Sequence, residues 1–285
     1  MTLYEYLQEA RMENPVMVLA MSGWVDAASV GTEAAGHLAE GGEVIAKFDR
    51  DALFDYRSSR PVLHFEAGVL SRVVWPRLNV VHNSIEGRDF VVVTGNEPDF
   101  RWMELSADML RLAGELGVER LITLGAVPAQ VPHTRPVRVV CTTSGPDLLL
   151  EGDDLLPDDL VVPGAAVSIL RDYLSHNGIS SIGYWVQVPH YLNQPFPAGV
   201  VALLERVGHQ LGVTVPVGNL PDEAEDQRRD IDAMLEDRSD AREYVERLEG
   251  MVEDSPPVPD FEALPSADEI GAEVERFLRS ASDED

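Results

Sequence analysis

Residues 16–28, which read VMVLAMSGWVDAA, decide the fold. The first six form a short apolar run without polar alternation, which is typical of a strand buried on both faces of a parallel sheet. Gly23 permits a tight turn after this strand, and Asp26 is a suitable N-cap for a helix that begins at Ala27. Because open α/β sheets place their ligand crevices at the carboxyl ends of strands, the loop between strand and helix is a first place to look for a site.

The rest of the chain repeats this alternation of apolar runs and amphipathic segments. Further strands are predicted at 44–48, 90–94, 121–124 and 181–188, and helices at 103–116, 164–174 and 197–211. Two less regular features are an amphipathic lead-in at 2–12 and a hairpin that pairs 62–65 with 78–81. Strands that alternate with helices of this length predict a three-layer α/β/α sandwich with a mostly parallel central sheet.

The composition changes after Pro221, which predicts two parts. Residues 1–221 form the α/β/α core domain, and residues 222–285 form an acidic helical C-terminal appendage. The appendage contains a proline-rich linker at 254–260, since proline pairs stiffen the chain and block helix formation. Ser266 and Glu269 then form a capping box for a last helix.

Charge and cysteine content exclude several classes of protein. The net charge is −28, whereas broad binding to nucleic acid or to an anionic membrane needs a basic surface. Cys141 is the only cysteine, so neither an intramolecular disulfide nor a cysteine-based metal cage is expected. The amino terminus carries acidic residues and does not resemble a signal peptide, and no apolar run approaches membrane-spanning length. We therefore expect a cytoplasmic protein without cofactor or metal, and without nucleic-acid or membrane partners.

Four loops that follow predicted strands could together form a ligand-binding rim. The familiar phosphate, dinucleotide, zinc and hydrolase motifs are missing, so no catalytic residue is assigned. The first loop holds Gly23, Trp24 and Asp26, where backbone N–H groups at a helix start either bind an anion or only form the turn and its cap. The second loop holds Gly95, Asn96 and Glu97. Glu97 is either a buried base or hydroxyl acceptor, or one of the solvated acids of a proline-shaped turn.

The third and fourth loops carry histidine next to arginine or tyrosine. His133 and Arg135 either bind an acidic ligand together, with His133 titrating near neutral pH, or the arginine pairs with carboxylates of its own domain. His190 and Tyr191 either donate to a ligand or pack beneath their own loop. The other histidines lack metal-ligand spacing and are interpreted as surface or packing residues.

Several of these motifs, taken in order, resemble the proteasome assembly chaperone 2 family. They are SGWVDA at 22–27, GNEPD at 95–99 with Trp102, and PHY at 189–191 followed by Pro197 and Ala198. The loop DYRSSRP at 55–61 and the run PHTRP at 132–136 resemble the actinobacterial branch. Tyr56, Arg57 and Arg60 of that loop are additional candidate contacts.

The resemblance, which covers about residues 13 to 215, has its own implications. It implies an α/β/α core similar to nucleoside phosphorylases and hydrolases, often assembled as a homotrimer. It also implies a non-enzymatic protein-binding or assembly factor with a proteasome-related or other protein partner, because eukaryotic relatives help to build the proteasome ring. The alternative is an enzyme or sensor that uses the rim to bind a small nucleoside- or phosphate-bearing ligand.

Overall fold

The computed structural model describes residues 2–156, 160–236 and 238–254. The strands are β1 (Tyr4–Tyr6), β2 (Val16–Ser22), β3 (Glu43–Phe48), β4 (Val62–Glu66), β5 (Val69–Val74), β6 (Leu78–Ile85), β7 (Arg88–Asn96), β8 (Arg120–Ala129), β9 (Val139–Thr143), β10 (Asp154–Leu155) and β11 (Ser180–Pro189). The helices are α1 (Val30–Ala39), α2 (Arg50–Leu53), α3 (Trp102–Leu116), α4 (Ala166–His176), α5 (Pro197–Leu211), α6 (Leu220–Glu236) and α7 (Ser239–Asp254).

A nine-stranded sheet with the order β1-β3-β6-β7-β2-β8-β11-β9-β10 forms the middle layer. Its four central strands, β7, β2, β8 and β11, are parallel, and antiparallel strands flank them on both sides. Helices α1 and α5 pack on one face, and α3 and α4 pack on the other. The predicted three-layer α/β/α sandwich is therefore confirmed, with a parallel centre and mixed edges.

Strand β2 lies in the centre of this sheet, and this position explains why its sequence is uniformly apolar. Val18 and Ala20 face the core beneath α1 and α5, whereas Met17 and Leu19 face the core beneath α3 and α4. All four side chains are fully buried. A strand covered on both faces needs apolar residues at every position, so polar alternation is absent.

The lead-in at 2–12 differs from the expected amphipathic segment. Residues 4–6 form β1, which pairs antiparallel with β3 at the edge of the sheet. Leu3 and Tyr4 are buried, but Tyr6 and Leu7 are exposed. The Tyr4 and Tyr6 hydroxyls both donate to Glu115, which explains why Tyr6 stays at the surface.

The predicted hairpin between 62–65 and 78–81 is wrong. Strand β4 pairs instead with β5, through a two-residue turn at Ala67 and Gly68, both of which have positive φ. Such a turn matches the twist of two antiparallel strands and closes the hairpin locally. Residues 78–81 belong to β6, which enters the large sheet between β3 and β7.

The two described C-terminal helices pack on the core of their own chain. Leu220 and Ile231 of α6 are buried, as are Val245 and Leu248 of α7. Helix α6 lies against α5, and the Gln227 side chain donates to the Pro195 carbonyl over 2.6 Å. The predicted last helix, and the predicted linker apart from its first residue, lie outside the described residues. Within the described ranges, no helix is both long and apolar enough to cross a membrane.

Candidate functional site

Glu97 joins two of the predicted rim loops and a helix start at the carboxyl edge of the sheet. Strands β2 and β7 are parallel neighbours, so the loops that follow them emerge side by side. The Glu97 N–H donates to the Ser22 carbonyl over 2.9 Å, and its Oε2 accepts the N–H of Trp24 over 3.3 Å. Its Oε1 accepts the N–H of Ala166, the first residue of α4, over 2.6 Å. The carboxylate therefore binds backbone groups of its own protein with both oxygens.

Gly23 and Gly95 allow close contacts around Glu97 that a side chain at either position would prevent. A Cβ on Gly23 would lie 2.4 Å from Oε2 of Glu97, so only glycine lets the carboxylate approach. Gly95 has a φ of +154°, and a Cβ there would lie 1.9 Å from the Arg77 carbonyl oxygen. Asn96 makes two hydrogen bonds to Arg77. Its backbone N–H donates to the Arg77 carbonyl over 2.8 Å, and its Oδ1 accepts the Arg77 N–H over 3.1 Å.

Asp26 caps α1, but the helix starts three residues later than predicted. Residues 27–29 form a short 3₁₀ turn, with Ala28 and Ser29 in the left-handed region, and α1 begins at Val30. The Asp26 Oδ1 accepts the N–H groups of Gly31 over 2.7 Å and Thr32 over 3.2 Å. Burial raises the pKa of Asp26 above its usual range, although the Thr32 hydroxyl and the two N–H groups oppose this increase. Asp26 thus caps α1 although it lies four residues before the first residue of the helix, with the 3₁₀ turn at 27–29 between them.

His133, His190 and Tyr191 form a second cluster, beyond the ends of β8 and β11. The Tyr191 hydroxyl accepts the backbone N–H of His133 over 2.8 Å and lies 2.8 Å from its Nδ1. The Tyr191 ring contacts both histidine rings edge-on, with centroid separations of 5.8 and 5.5 Å. Burial is the main cause that raises the pKa of Tyr191 to about 12. We refer to these three residues as the His-Tyr cluster.

The C-terminal helices cover the His-Tyr cluster, which sequence reasoning did not anticipate. Asp232 of α6 lies 3.1 Å from Nε2 of His133, and the hydroxyl of Tyr244 of α7 lies 3.1 Å from Nε2 of His190. Thr134 donates a hydrogen bond to Glu249 of α7. In the sequence, apolar residues recur every three or four positions in α6 and α7. This spacing predicts that one face of each helix is buried, but it does not identify the residues that the face covers.

A pocket of about 360 Å³ opens beside the His-Tyr cluster, between the third rim loop and α6. Its polar lining includes His133, Arg135 and, from α6, Glu225 and Arg228. Phe196 and Ile231 contribute apolar surface. Its volume lies at the lower end of the range found for small-molecule sites, and the pocket is open to solvent.

Tyr56, Arg57 and Arg60, the additional candidates, lie near the β4–β5 hairpin. The Tyr56 hydroxyl donates to Asp51, and its ring packs edge-on against Trp75 with centroids 4.9 Å apart. The side chains of Arg57 and Arg60 are exposed. No group of three or more potential metal ligands occurs within the described part of the chain.

A family model for the PAC2 family matches residues 20–235, which is more than half of the chain. The chain belongs to the PAC2 family. No curated protein matches it.

Three solved structures are similar to this PAC2 family member over most of their length. A protein of unknown function from Mycobacterium tuberculosis is 31% identical, with a TM-score of 0.82 and 88% of each chain covered. A PAC2 family protein from Streptomyces avermitilis is 39% identical, with a TM-score of 0.71, and 81% of this chain and 99% of that chain are covered. A proteasome-assembly chaperone homologue from M. tuberculosis is 32% identical, with a TM-score of 0.74 and the same coverage.

The predicted rim of this PAC2 protein thus forms two groups with different surroundings. Gly23, Asn96 and Glu97 are engaged with backbone groups of neighbouring loops, while the Trp24 side chain above them is half exposed. The second group is the His-Tyr cluster with Arg135 in the adjoining pocket. A ligand role for either group remains a prediction.

Proposed function

We propose that this protein is a non-enzymatic protein-binding or assembly factor that self-associates and acts on a proteasome-related protein partner. The observation that carries the proposal is the similarity to a proteasome-assembly chaperone homologue, which is 32% identical over 81% of the chain. Membership of the PAC2 family supports the same class of function.

The chemistry of the carboxyl edge also supports a binding function. Each oxygen of the Glu97 carboxylate accepts one backbone N–H, which is how a carboxylate holds two segments of backbone together. The Asp26 carboxylate is likewise engaged, with α1. These two carboxylates therefore stabilise a loop and the start of a helix.

Reconstitution tests this proposal directly. Proteasome α and β subunits from the same genome are expressed with and without the protein, and ring formation is followed on native gels and by mass photometry. We expect faster or more complete ring formation, together with a complex between the protein and subunits that have not yet assembled. Unchanged assembly kinetics and no such complex would contradict the proposal.

The pocket beside the His-Tyr cluster supports a second candidate, the binding of a small phosphate- or nucleoside-bearing ligand. Arg228 lines this pocket and lies 4.0 Å from the Asp232 carboxylate, and guanidinium groups bind phosphate oxygens well, so an anionic ligand would compete with that ion pair. Thermal unfolding against inorganic phosphate, nucleosides and nucleotides tests this role. A ligand at a hundredfold over its dissociation constant adds about 2.7 kcal/mol of stability. The shift should disappear in Arg228→Ala but persist in Arg11→Ala, which alters an exposed arginine outside the pocket.

A further inference from the structure

The ring of His133 connects the core of the protein to α6. Its Nε2 lies 3.1 Å from Oδ1 of Asp232 in α6, and its Nδ1 lies 2.8 Å from the hydroxyl of Tyr191 in the core. The His133 side chain is 2% exposed, whereas the Asp232 side chain is 50% exposed. Because Asp232 belongs to the C-terminal helices, the surroundings of this buried ring change when α6 is docked on the core.

The hydrogen bonds of the His133 ring show which of its nitrogen atoms carries hydrogen. An ionised carboxylate only accepts, so Nε2 carries a hydrogen and donates it to Asp232. The Tyr191 hydroxyl accepts the backbone N–H of His133 and donates its own hydrogen to Nδ1. A second ring hydrogen, on Nδ1, would displace the Tyr191 hydrogen. Tyr191 is part of the core, so this cost is the same whether α6 is docked or not.

Docking of the C-terminal helices changes the charge around His133. Asp232 is within hydrogen-bond distance of Nε2, and Arg228 lies 4.0 Å from the other oxygen of that carboxylate. Residues 220–254 hold 14 acidic and five basic residues, so the docked helices favour positive charge on the core beneath them. The other titratable or charged groups around the two histidines are Glu225 of α6, Tyr244, Arg247 and Glu249 of α7, and Arg135 of the third rim loop.

We propose that His133 is a pH-sensitive latch, which holds the C-terminal helices on the core more tightly when its ring carries a second proton. Histidine changes charge between about pH 5 and 8. In the docked protein, a charged ring donates a charge-assisted hydrogen bond to Asp232, and such bonds are about twice as strong as neutral ones. An undocked ring has lost Asp232 and gains nothing comparable from the second proton.

The sign of the pH dependence follows from this difference. The docked state binds the second proton more tightly than the undocked state does, so the added docking stability is present at acidic pH and is lost as the pH rises. Helix α6 forms one wall of the pocket beside the His-Tyr cluster. Loosening of α6 therefore opens this pocket at mildly alkaline pH. The latch acts on a contact within the chain, so it holds whatever partner or ligand the protein binds.

Amide hydrogen exchange of the full chain at pH 6, 7 and 8 tests the latch. Results are compared as protection factors, which divide out the pH dependence of the exchange chemistry itself. We expect the protection factors of α6 and α7 to fall about five- to tenfold from pH 6 to pH 8, which lies at the lower end of the coupling typical between two sites. The protection factors of α5, which belongs to the core, should stay constant over this range.

Asp232→Asn separates the charge from the hydrogen bond, because the amide oxygen still accepts from Nε2 but carries no charge. We expect the protection factors of α6 and α7 in this variant to be independent of pH and close to the wild-type values at pH 8. Asp230→Asn is the matched control, since it removes the charge of an exposed acid two residues earlier in α6 and should keep the wild-type pH dependence.

His133→Gln removes the titrating ring and retains an N–H donor for Asp232. We expect this variant also to lose the pH dependence. His176→Gln is its control, because His176 lies 3.3 Å from Asp172 in α4, is exposed, and lies on the other face of the sheet. This control should behave as the wild type does.

Two results would overturn the latch. The first is a wild type in which the protection factors of α6 and α7 are constant or increase from pH 6 to pH 8. The second is a decrease that Asp232→Asn and His133→Gln leave unchanged, because another titrating group would then be responsible. Unaltered protection of α5 in every variant shows that the core remains folded.

Discussion

The Glu97 carboxylate accepts the backbone N–H of Ala166, the first residue of α4, over 2.6 Å. The two residues are 69 positions apart in sequence, and the bond fixes α4 to the loop after β7. A carboxylate at this position also interacts favourably with the positive end of the helix dipole. This single side chain therefore connects the centre of the sheet to the helical layer that covers it.

Replacing Glu97 with alanine should destabilise the protein by about 1–3 kcal/mol, because the partly buried N–H of Ala166 would lose its acceptor, as would the more exposed N–H of Trp24. Urea unfolding measures the change. Glu104→Ala is the control, since this exposed glutamate pairs with a surface arginine, Arg101, and the substitution should change stability by less than about 1 kcal/mol. Equal effects of the two substitutions would contradict the role assigned to Glu97.

Gly23→Ala should destabilise the protein by about 1–3 kcal/mol, because the added Cβ would lie 2.4 Å from the Glu97 carboxylate. The cost should be smaller but not zero in a Glu97→Ala background, because that substitution removes the 2.4 Å contact with Oε2 and keeps the 2.8 Å contact with the Cβ of residue 97. Gly36→Ala is the control, because it lies in α1 with open space around its Cβ and should be neutral or slightly stabilising. Additive effects of Gly23→Ala and Glu97→Ala would show that the two residues do not interact.

Asp26→Asn should change how stability depends on pH. Burial raises the pKa of Asp26 in the folded state, so the native protein holds this proton more tightly than the unfolded chain does. The stability that this proton contributes to the native state is fully present below the unfolded pKa of about 3.9, and it is lost as the pH rises through the higher folded pKa. The stability of the wild type relative to Asp26→Asn should therefore fall across this window and then level off. Urea unfolding from pH 4 to 8 measures this difference, and a constant value would refute the assignment.

Tyr191→Phe should cost about 1–3 kcal/mol of stability, because the His133 N–H would lose its acceptor inside the His-Tyr cluster. Tyr244→Phe is the comparison, since its hydroxyl bonds His190 in a more exposed place and should matter less. Amide hydrogen exchange separates a local from a global effect. The local effect should appear as faster exchange in 189–193 and at the start of the third rim loop.

The centre of the fold could be predicted because its signals are local. Strand β2 needs apolar residues on both faces, and the sequence of residues 16–21 contains nothing else. The ends of α3 and α5 were also readable, since Gly117 and Gly212 adopt the left-handed conformation that terminates helices.

One error concerns a local turn, and the others concern partners that are distant in sequence. Residues 62–65 have the pattern of a strand, but only the turn at Gly68 selects 69–74 as their partner. Tyr6 stays at the surface because Glu115, more than a hundred residues later, binds its hydroxyl. The cover of the His-Tyr cluster by Asp232 and Tyr244 was missed for the same reason, since no local pattern records which helix crosses a loop.

The position of β8 has a consequence for how the chain folds during synthesis. Strand β8 pairs in parallel with β11 along its whole length, from Arg120 opposite Ser180 to Ala129 opposite Pro189. Its partner therefore leaves the ribosome sixty residues later, about 3–12 s at typical rates of synthesis. During this interval, one edge of a nearly continuous apolar strand has no neighbour, and such an edge is prone to pair with other chains. The nascent chain of this protein is therefore most exposed to edge-to-edge pairing between the synthesis of β8 and that of β11.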